Sequence, residues 1–203
     1  NPPVGAVVVK DGHVVGKGFT LPPGKGHAEA IALKNAGAKA RGASLYTTLE
    51  PCCIYGRVPP CTRAIVDAGV DEIHVAMRDP NPLINNRGLK ELEESDIRVF
   101  LGDHKSEATQ MYEPFAKYIK TGVPFVTAKF AMSLDGKTAT HLGKSRWITG
   151  ESSRKLAHEL RRICDAVVVG VNTVKVDDPL LTVRNTSGKT LAHQPLRVIV
   201  DSL

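Results

Sequence analysis

The sequence predicts an α/β protein with two successive domains. Strand-like and helix-like stretches alternate along the whole chain, and residues 120–124 break both patterns. Strands that alternate with helices indicate helices packed on a largely central sheet. We therefore expect a first domain over residues 1–120 and a second alternating unit over residues 124–203.

The first domain is predicted to begin with a β-hairpin. Residues 4–9 and 14–16 are strand-like, and Asp11-Gly12 between them is a two-residue turn signal. Helical spacing then covers residues 27–36 and 61–68, and a glycine follows each run. The other predicted elements of this domain are strands at 44–48, 72–77 and 97–101 and helices at 89–94 and 108–119.

The second domain is predicted to continue the alternation. Residues 125–132 and 165–170 have the apolar character of strands, and residues 151–163 have helical spacing. Another predicted strand covers residues 197–201. The chain begins at Asn1 without methionine and ends in this last strand, so we expect a fragment cut at both ends.

Three side chains of the first domain form a candidate metal site. His27, Cys52 and Cys61 offer one imidazole and two thiolates, a three-ligand set for zinc that leaves the fourth position to water. Glu29 can reach that water without binding the metal, as a general acid and base must. The pattern His-x-Glu followed by Pro-Cys and a second cysteine is typical of zinc deaminases that act on nucleobase-like rings.

A closed structural zinc site with Cys53 as the fourth ligand is the main alternative. Adjacent residues rarely chelate one metal without strain, and the cysteines lack the Cys-x-x-Cys spacing of structural fingers, so a catalytic site is favoured. Pro51 and Pro60 both suit the first turn of a helix, where free amides favour a thiolate. We therefore expect Cys52 and Cys61 to ionise easily.

The composition argues against several other classes of protein. With 203 residues, 42% of them hydrophobic, the chain can bury one large core or two smaller ones. Four cysteines, two of them assigned to metal, favour a reducing cytoplasm over a disulfide framework, and no run of about 18 apolar residues could span a membrane.

The net charge of +6 comes entirely from the second part of the chain. Residues 119–203 hold 13 Lys and Arg against 7 Asp and Glu, whereas residues 1–118 hold 14 of each kind. Aromatic residues make up only 5% of the chain, so a small phosphorylated ligand is favoured over nucleic acid. A solvated basic face remains an alternative for any single lysine.

The stretch from residue 51 to residue 61 is more particular than a general deaminase motif, because eight residues separate its two outer cysteines. It resembles the bifunctional riboflavin-biosynthesis family, in which a pyrimidine deaminase is fused to a reductase; other cytidine and tRNA adenosine deaminases usually have two residues there. Segments 1–5, 79–82, 133–136, 147–149 and 177–184 look like the same family in the same order. The resemblance covers essentially the whole chain.

This resemblance implies a cytidine-deaminase-like α/β/α sandwich followed by the first part of a dihydrofolate-reductase-like α/β domain. Residues 1–120 would be a zinc-dependent pyrimidine deaminase domain that lacks its N-terminal helix. Residues 124–203 would be the truncated N-terminal part of an NADPH-dependent reductase domain.

In the deaminase domain, the family's zinc ligands fall on the three residues already singled out, and its proton shuttle falls on Glu29. Asn1 either hydrogen-bonds the pyrimidine, by analogy with the family, or is a turn residue before Pro2. Ile54 and Val58 stand where the family usually has histidine and threonine, so two polar groups near the substrate are apolar here.

In the reductase domain, the resemblance implies two sets of contacts. Guanidinium groups suit a ribose phosphate because they bind its oxygens bidentately, although a lone arginine is more often a solvated charge. Composition alone would place the only tryptophan, Trp147, in core packing, but its neighbours Ser145 and Thr149 favour the cofactor pocket. The implied cofactor contacts are Ala131, Trp147, Thr173, Asp177 and Ser202, and the implied substrate contacts are Ser145, Arg161, Leu181 and Arg184.

The expected function is a two-step reaction of riboflavin biosynthesis with Zn²⁺ and NADPH as cofactors. The deaminase would act on 2,5-diamino-6-(phosphoribosylamino)pyrimidin-4-one, and the reductase would convert the ribosyl chain to ribityl. We expect a cytoplasmic homo-oligomer that binds a small phosphorylated pyrimidine, with no nucleic-acid or membrane partner. The alternatives are a zinc deaminase of a nucleic acid or a free nucleobase or nucleoside, with the basic part as a binding arm, and a non-catalytic zinc module.

Overall fold

A computed structural model describes residues 2–185 and 187–202. The chain divides into two compact units, Asn1–Val126 and Thr127–Leu203. The domain boundary predicted at residues 120–124 therefore lies close to the division between these two units.

The first unit contains a five-stranded mixed sheet. Its strands are β1 (Gly5–Lys10), β2 (His13–Phe19), β3 (Ser44–Thr47), β4 (Glu72–Val75) and β5 (Arg98–Leu101). They lie in the order β2-β1-β3-β4-β5, with β1 antiparallel to both β2 and β3, and with β3, β4 and β5 parallel. Asp11 and Gly12 join β1 to β2 with φ angles of 49° and 73°, the left-handed conformation that a two-residue hairpin turn requires.

The described part of the first unit also contains four α-helices: α1 (Ala28–Ala36), α2 (Cys61–Ala68), α3 (Arg87–Glu93) and α4 (Lys105–Thr121). Helix α2 begins after Pro60 and ends at Gly69, which has a φ of 69°. A proline before the first turn and a left-handed glycine after the last are common helix boundaries, so these bounds were predictable. No helix in the described residues is both long and apolar enough to cross a membrane.

Helices α1, α2 and α3 share one hydrophobic core with the sheet. Leu45 and Ile73 project from β3 and β4 and are fully buried, as are Ala32 of α1, Ile65 of α2 and Leu92 of α3. Side chains in alternate positions on the other face are more open; for instance, Tyr46 is 40% exposed and Phe100 is 41% exposed. The alternation of side chains along each strand therefore determines which face the three helices cover.

Two glycines of β2 let α1 approach the sheet directly. A Cβ added at Gly16 would lie 2.2 Å from the carbonyl oxygen of Ala32, and one added at Gly18 would lie 2.1 Å from that of Ala28. Only glycine permits this contact between main chains. The start of α1 is thereby fixed against the hairpin.

The second unit contains a two-stranded parallel sheet, formed by β6 (Ala166–Gly170) and β7 (Leu196–Val200), and the helices α5 (Glu151–Arg162) and α6 (Val171–Asp177). The prediction of a strand over residues 125–132 is wrong, because residues 122–150 form no strand or helix. Val126 and Phe130 in this segment are 77% and 73% exposed. Strand-forming side chains are not sufficient without a neighbouring strand to receive the main-chain hydrogen bonds.

Candidate active site

The three predicted metal ligands lie together in the first unit. The ligand atoms of His27, Cys52 and Cys61 are all within 4.8 Å of one another. His27 Nδ1 is 3.4 Å from Cys52 Sγ and 3.3 Å from Cys61 Sγ. Zinc bonds of about 2.3 Å to sulfur and about 2.0 Å to nitrogen, at a tetrahedral angle, place the two ligand atoms about 3.5 Å apart. The cluster therefore has the spacing that a zinc ion requires.

Each ligand is positioned by a different segment of the chain. His27 directly precedes α1 in an extended conformation, and Cys61 is the first residue of α2. Cys52 lies in the loop after β3, where its carbonyl oxygen accepts a hydrogen bond from Thr62 N (3.2 Å) and its sulfur accepts one from Cys61 N (3.4 Å). Pro51 suits the first turn of a helix, but it does not begin one here, because this loop hydrogen-bonds to the start of α2 and forms no helical turn of its own.

The charges of the cluster favour a bound cation. Hydrogen bonds from Cys61 and His27 lower the pKa of the Cys52 thiol to about 4, and the same contact with Cys52 raises the pKa of His27. The pKa of Cys61 is raised, because its thiol donates to the Cys52 thiolate and is itself buried. Without a cation the two thiols therefore share one proton, and a divalent cation bound between them would compensate the second negative charge. The easy ionisation of both cysteines stays a prediction.

Glu29 lies beside the three ligands on the first turn of α1. It is 3% exposed, and burial raises the pKa of its carboxyl to about 7. Its carboxyl group lies close enough to Cys61 for its negative charge to raise the pKa of that thiol. A carboxyl group in this position can take up and release a proton next to the metal site, although a bound cation would lower its pKa.

Cys53 does not complete a four-ligand site. In the described part of the chain, the only cluster with metal-ligand spacing consists of the one histidine and the two other cysteines. Burial raises the pKa of the Cys53 thiol, which disfavours its thiolate. Ile54 and Val58, the two apolar replacements noted in the sequence, are partly buried in the same loop.

Sequence reasoning missed Glu50 and Asp79, which are 3% and 5% exposed, respectively. Within residues 2–185 and 187–202, the carboxylate of Glu50 accepts hydrogen bonds only from main-chain amides, beginning with Asp79 N at 3.1 Å. Burial raises the pKa of Asp79 to about 6, and the negative charges of Glu50 and Cys52 add to this effect. The sequence did carry a signal for Glu50, because this acidic residue lies between the apolar Leu49 and the Pro-Cys motif. A carboxylate in such an apolar segment needs hydrogen-bond partners if it is buried.

In the second unit, two pairs of predicted site residues are brought together. Ser145 Oγ donates a hydrogen bond to Asp177 Oδ1 (3.1 Å). Arg161 donates to the carbonyl oxygen of Thr182 (2.9 Å), and Arg184 donates to the hydroxyl of the same residue (3.1 Å). Burial and the neighbouring charge of Arg184 lower the pKa of Arg161. The two guanidinium groups therefore lie in one basic cluster.

The remaining predicted residues of this unit have other surroundings. Trp147 is 72% exposed and its ring lies under the guanidinium of Arg154 (4.5 Å), so it is not core packing. Leu181 has a left-handed φ of 51°. In the described residues, no side-chain hydrogen bond joins the other members of the predicted set, which are Ala131, Thr173 and Ser202. Asn1, predicted to contact the pyrimidine, lies outside the described residues.

Two family models match the chain. Residues 1–77 match the cytidine and deoxycytidylate deaminase zinc-binding region, and residues 124–203 match the RibD C-terminal domain. The predicted fold class, a cytidine-deaminase-like α/β domain followed by the first part of the reductase-type domain, is thereby confirmed.

The chain is similar to riboflavin biosynthesis protein RibD of Aquifex aeolicus, with 51% identity over 201 residues that cover 99% of this chain and 56% of the relative. RibD of Escherichia coli is 44% identical over 211 residues, which cover 100% of this chain and 58% of that protein.

Solved structures give the same result. Acinetobacter baumannii RibD, form 1, matches with a TM-score of 0.88 and 44% identity over 98% of this chain and 56% of its own. The diaminohydroxyphosphoribosylaminopyrimidine deaminase/5-amino-6-(5-phosphoribosylamino)uracil reductase of Thermotoga maritima matches with a TM-score of 0.90 and 44% identity over 99% and 57%. The chain thus spans a little over half the length of these relatives. With both domain models matched in order and close similarity to RibD proteins along its whole length, the chain belongs to the RibD family of riboflavin biosynthesis proteins.

Proposed function

We propose that residues 1–120 form a zinc-dependent deaminase domain that removes an amine from a pyrimidine by hydrolysis. The observation that carries this proposal is the cluster of His27, Cys52 and Cys61 beside the buried Glu29. Three protein ligands leave one position of a tetrahedral zinc ion free for catalysis. The match to a zinc-binding deaminase region supports the same function.

In this reaction the protein supplies metal ligands and a proton carrier. Zinc, when bound, provides Lewis-acid activation of water near neutral pH. Glu29 accepts a proton from the attacking water and later delivers a proton to the departing amine. The reacting ring carbon thus exchanges its bond to nitrogen for a bond to oxygen, and ammonia leaves. The burial of Glu29 keeps bulk water away from this proton transfer.

We further propose that the substrate is 2,5-diamino-6-(phosphoribosylamino)pyrimidin-4-one. The Thermotoga maritima relative is named as a deaminase of a diaminohydroxyphosphoribosylaminopyrimidine, and it is 44% identical to this chain. The contact of Asn1 with the pyrimidine stays a prediction, as does the effect of Ile54 and Val58 on substrate binding.

For residues 124–203, we propose the N-terminal part of an NADPH-dependent reductase domain that converts the ribosyl chain to ribityl. Arg161 and Arg184 meet around Thr182, where guanidinium groups suit a phosphate. Ser145 and Asp177, assigned to substrate and cofactor, are hydrogen-bonded to each other. The roles of the other assigned residues stay predictions; they are Ala131, Trp147, Thr173, Leu181 and Ser202.

On this proposal the partner is a small phosphorylated pyrimidine, with no nucleic-acid or membrane partner. The basic excess of residues 119–203 is compatible with such an anionic ligand. RNA binding that weakens steeply with added salt would instead favour a nucleic-acid deaminase. The cytoplasmic location and the homo-oligomer stay predictions.

The substitution Glu29→Gln tests the deaminase proposal. Ammonia release from the phosphorylated pyrimidine should fall by a factor on the order of 10² to 10⁴, while the zinc content stays the same, because a proton carrier is lost and no ligand is. Glu93→Gln, which changes an exposed carboxylate of α3, is the control and should keep wild-type activity. Undiminished ammonia release by Glu29→Gln would end the proposal.

A further inference from the structure

Glu50 has an environment that is unusual for a carboxylate. It is 3% exposed and directly precedes the loop that carries the first cysteine ligand. Its Oε2 accepts hydrogen bonds from the main-chain amides of Asp79 (3.1 Å) and Asn86 (3.0 Å), and its Oε1 accepts them from Gly88 (3.0 Å) and Leu89 (3.4 Å). In the described residues, no Lys, Arg or His forms an ion pair with it. Four main-chain donors therefore stabilise the position of this carboxylate.

All four donors belong to one stretch of chain, residues 79–89, which runs from the end of β4 into α3. The main chain of Glu50 contacts the same region, because its amide donates to the carbonyl oxygen of Met77 (3.0 Å). Gly88 packs directly against Pro51, the residue after Glu50, because a Cβ added at Gly88 would lie 2.2 Å from the carbonyl oxygen of Pro51. Residues 77–89 are thus held against the main chain at residues 50 and 51.

Helix α3, in which this stretch ends, is also connected to the segment of the second cysteine. Thr62, the residue after Cys61, donates its main-chain amide to the carbonyl oxygen of Cys52 (3.2 Å). The hydroxyl of Thr62 donates to Glu91 Oε1 of α3 (2.7 Å). Helix α3 therefore contacts the segments of both cysteines, through Glu50 on one side and through Thr62 on the other.

We propose that Glu50 is a positioning residue of the metal centre, acting through the main chain to set the place of Cys52. A carboxylate is suited to this role because it only accepts hydrogen bonds, and all four of its partners only donate. The inference rests on the zinc site of the proposed function. It adds a residue that binds neither the metal nor the substrate but holds a ligand segment in place.

Glu50→Gln is the most selective test, because it preserves size while turning an amide NH₂ group toward main-chain donors. Zinc affinity of the full chain would be measured by competition with a chromophoric chelator, and the ligand arrangement by the absorption spectrum of the Co²⁺-loaded protein. Loss of groups that orient metal ligands typically weakens metal binding about 10-fold to 100-fold. We expect a loss of about 10-fold and a changed thiolate-to-cobalt absorption.

Leu92→Ala is the matched control for a purely structural effect. Leu92 is fully buried in the core cluster and lies on the same helix α3, so its truncation removes packing without touching the carboxylate. The free energy of unfolding in urea is measured for both variants, so that the change in zinc affinity can be judged against the loss of stability in each. Zinc affinity should fall for Glu50→Gln and stay near the wild-type value for Leu92→Ala; equal falls would overturn the inference.

The outcomes separate this inference from the function on which it rests. A wild-type chain that does not bind zinc contradicts both. Zinc binding by the wild type, together with unchanged affinity and Co²⁺ spectrum in Glu50→Gln, overturns the positioning role alone. If Glu50→Gln does not fold, Gly88→Ala replaces it, because its Cβ would push the same stretch away from Pro51; unchanged zinc affinity in a folded Gly88→Ala would also overturn the role.

Discussion

Substitution of Gly18 by alanine should displace helix α1 from the sheet. The new Cβ would lie 2.1 Å from the carbonyl oxygen of Ala28, 2.6 Å from the amide nitrogen of Ala32 and 3.0 Å from Cβ of Ile31. Real Cβ atoms essentially never approach closer than 3.0 Å, so the Ala28 carbonyl must retreat by about 0.9 Å. The nearest atoms belong to the helix main chain and cannot rotate away, so the whole turn has to move.

The free energy of unfolding should fall by about 1–2 kcal/mol. Overpacking of a well-packed contact costs about 1–3 kcal/mol. The reduced freedom of alanine in the unfolded chain returns about 0.4–1 kcal/mol. A net loss of this size lowers the melting temperature by roughly 4–8 °C per kcal/mol for a small domain. The change in melting temperature is measured by thermal unfolding, monitored by circular dichroism.

Gly56→Ala is the matched control, because a Cβ at that position meets no atom within 4 Å. Its free energy of unfolding should stay within about 0.5 kcal/mol of the wild type. Zinc affinity gives a second readout, since His27 directly precedes the displaced turn and should move with it. A Gly18→Ala protein with wild-type melting temperature and wild-type zinc affinity would refute the direct contact between α1 and β2.

Two further predictions concern the surroundings of the metal site. Cys61→Ser should abolish stoichiometric zinc binding, whereas Cys53→Ser should leave it unchanged, as measured by metal analysis after dialysis; loss of zinc in Cys53→Ser would mean a fourth protein ligand. Asp79→Asn should remove a pH dependence of stability, because the native pKa of Asp79 is raised to about 6 and native Asp79 therefore keeps a proton that the unfolded chain releases. This contribution to wild-type stability is greatest below pH 4 and is lost as the pH rises through 6. Urea titrations with a chelator present give the free energy of unfolding of Asp79→Asn minus that of the wild type. This difference should increase by on the order of 1 kcal/mol between pH 4 and pH 7. No change in this difference would contradict the raised pKa.

The cluster of candidate ligands was predictable because metal chemistry depends on residue type and spacing. Imidazole and thiolate are the groups that zinc prefers, and a carboxylate two residues from the histidine is suited to proton transfer beside the metal. The bounds of α2 followed from Pro60 and Gly69, and the hairpin followed from Asp11-Gly12, because these residues have strong local conformational preferences. Local rules thus gave the elements that carry the ligands.

Interactions with distant main-chain groups were not predictable in the same way. The four donors to Glu50 are amides, which every residue except proline carries, and they lie 29 to 39 positions further along the chain. The error at residues 125–132 has a related cause, since a strand depends on a partner that its own sequence does not specify. Secondary-structure propensity is a property of one segment. The hydrogen bonds to Glu50 and the missing strand at residues 125–132 both depend on other segments that lie beside it.

The metal centre shows why this difference matters for function. Its three proposed ligands come from separate segments, and each segment is held by a contact to main-chain atoms: α1 by Gly18, the loop of Cys52 by Glu50 and Pro51, and the start of α2 by the carbonyl oxygen of Cys52. Main-chain contacts leave less freedom than flexible side chains, so they can hold ligand atoms within the few tenths of an ångström that zinc geometry demands. Substitutions in the apolar core should accordingly change stability more than metal affinity, whereas substitutions at these three contacts should change both.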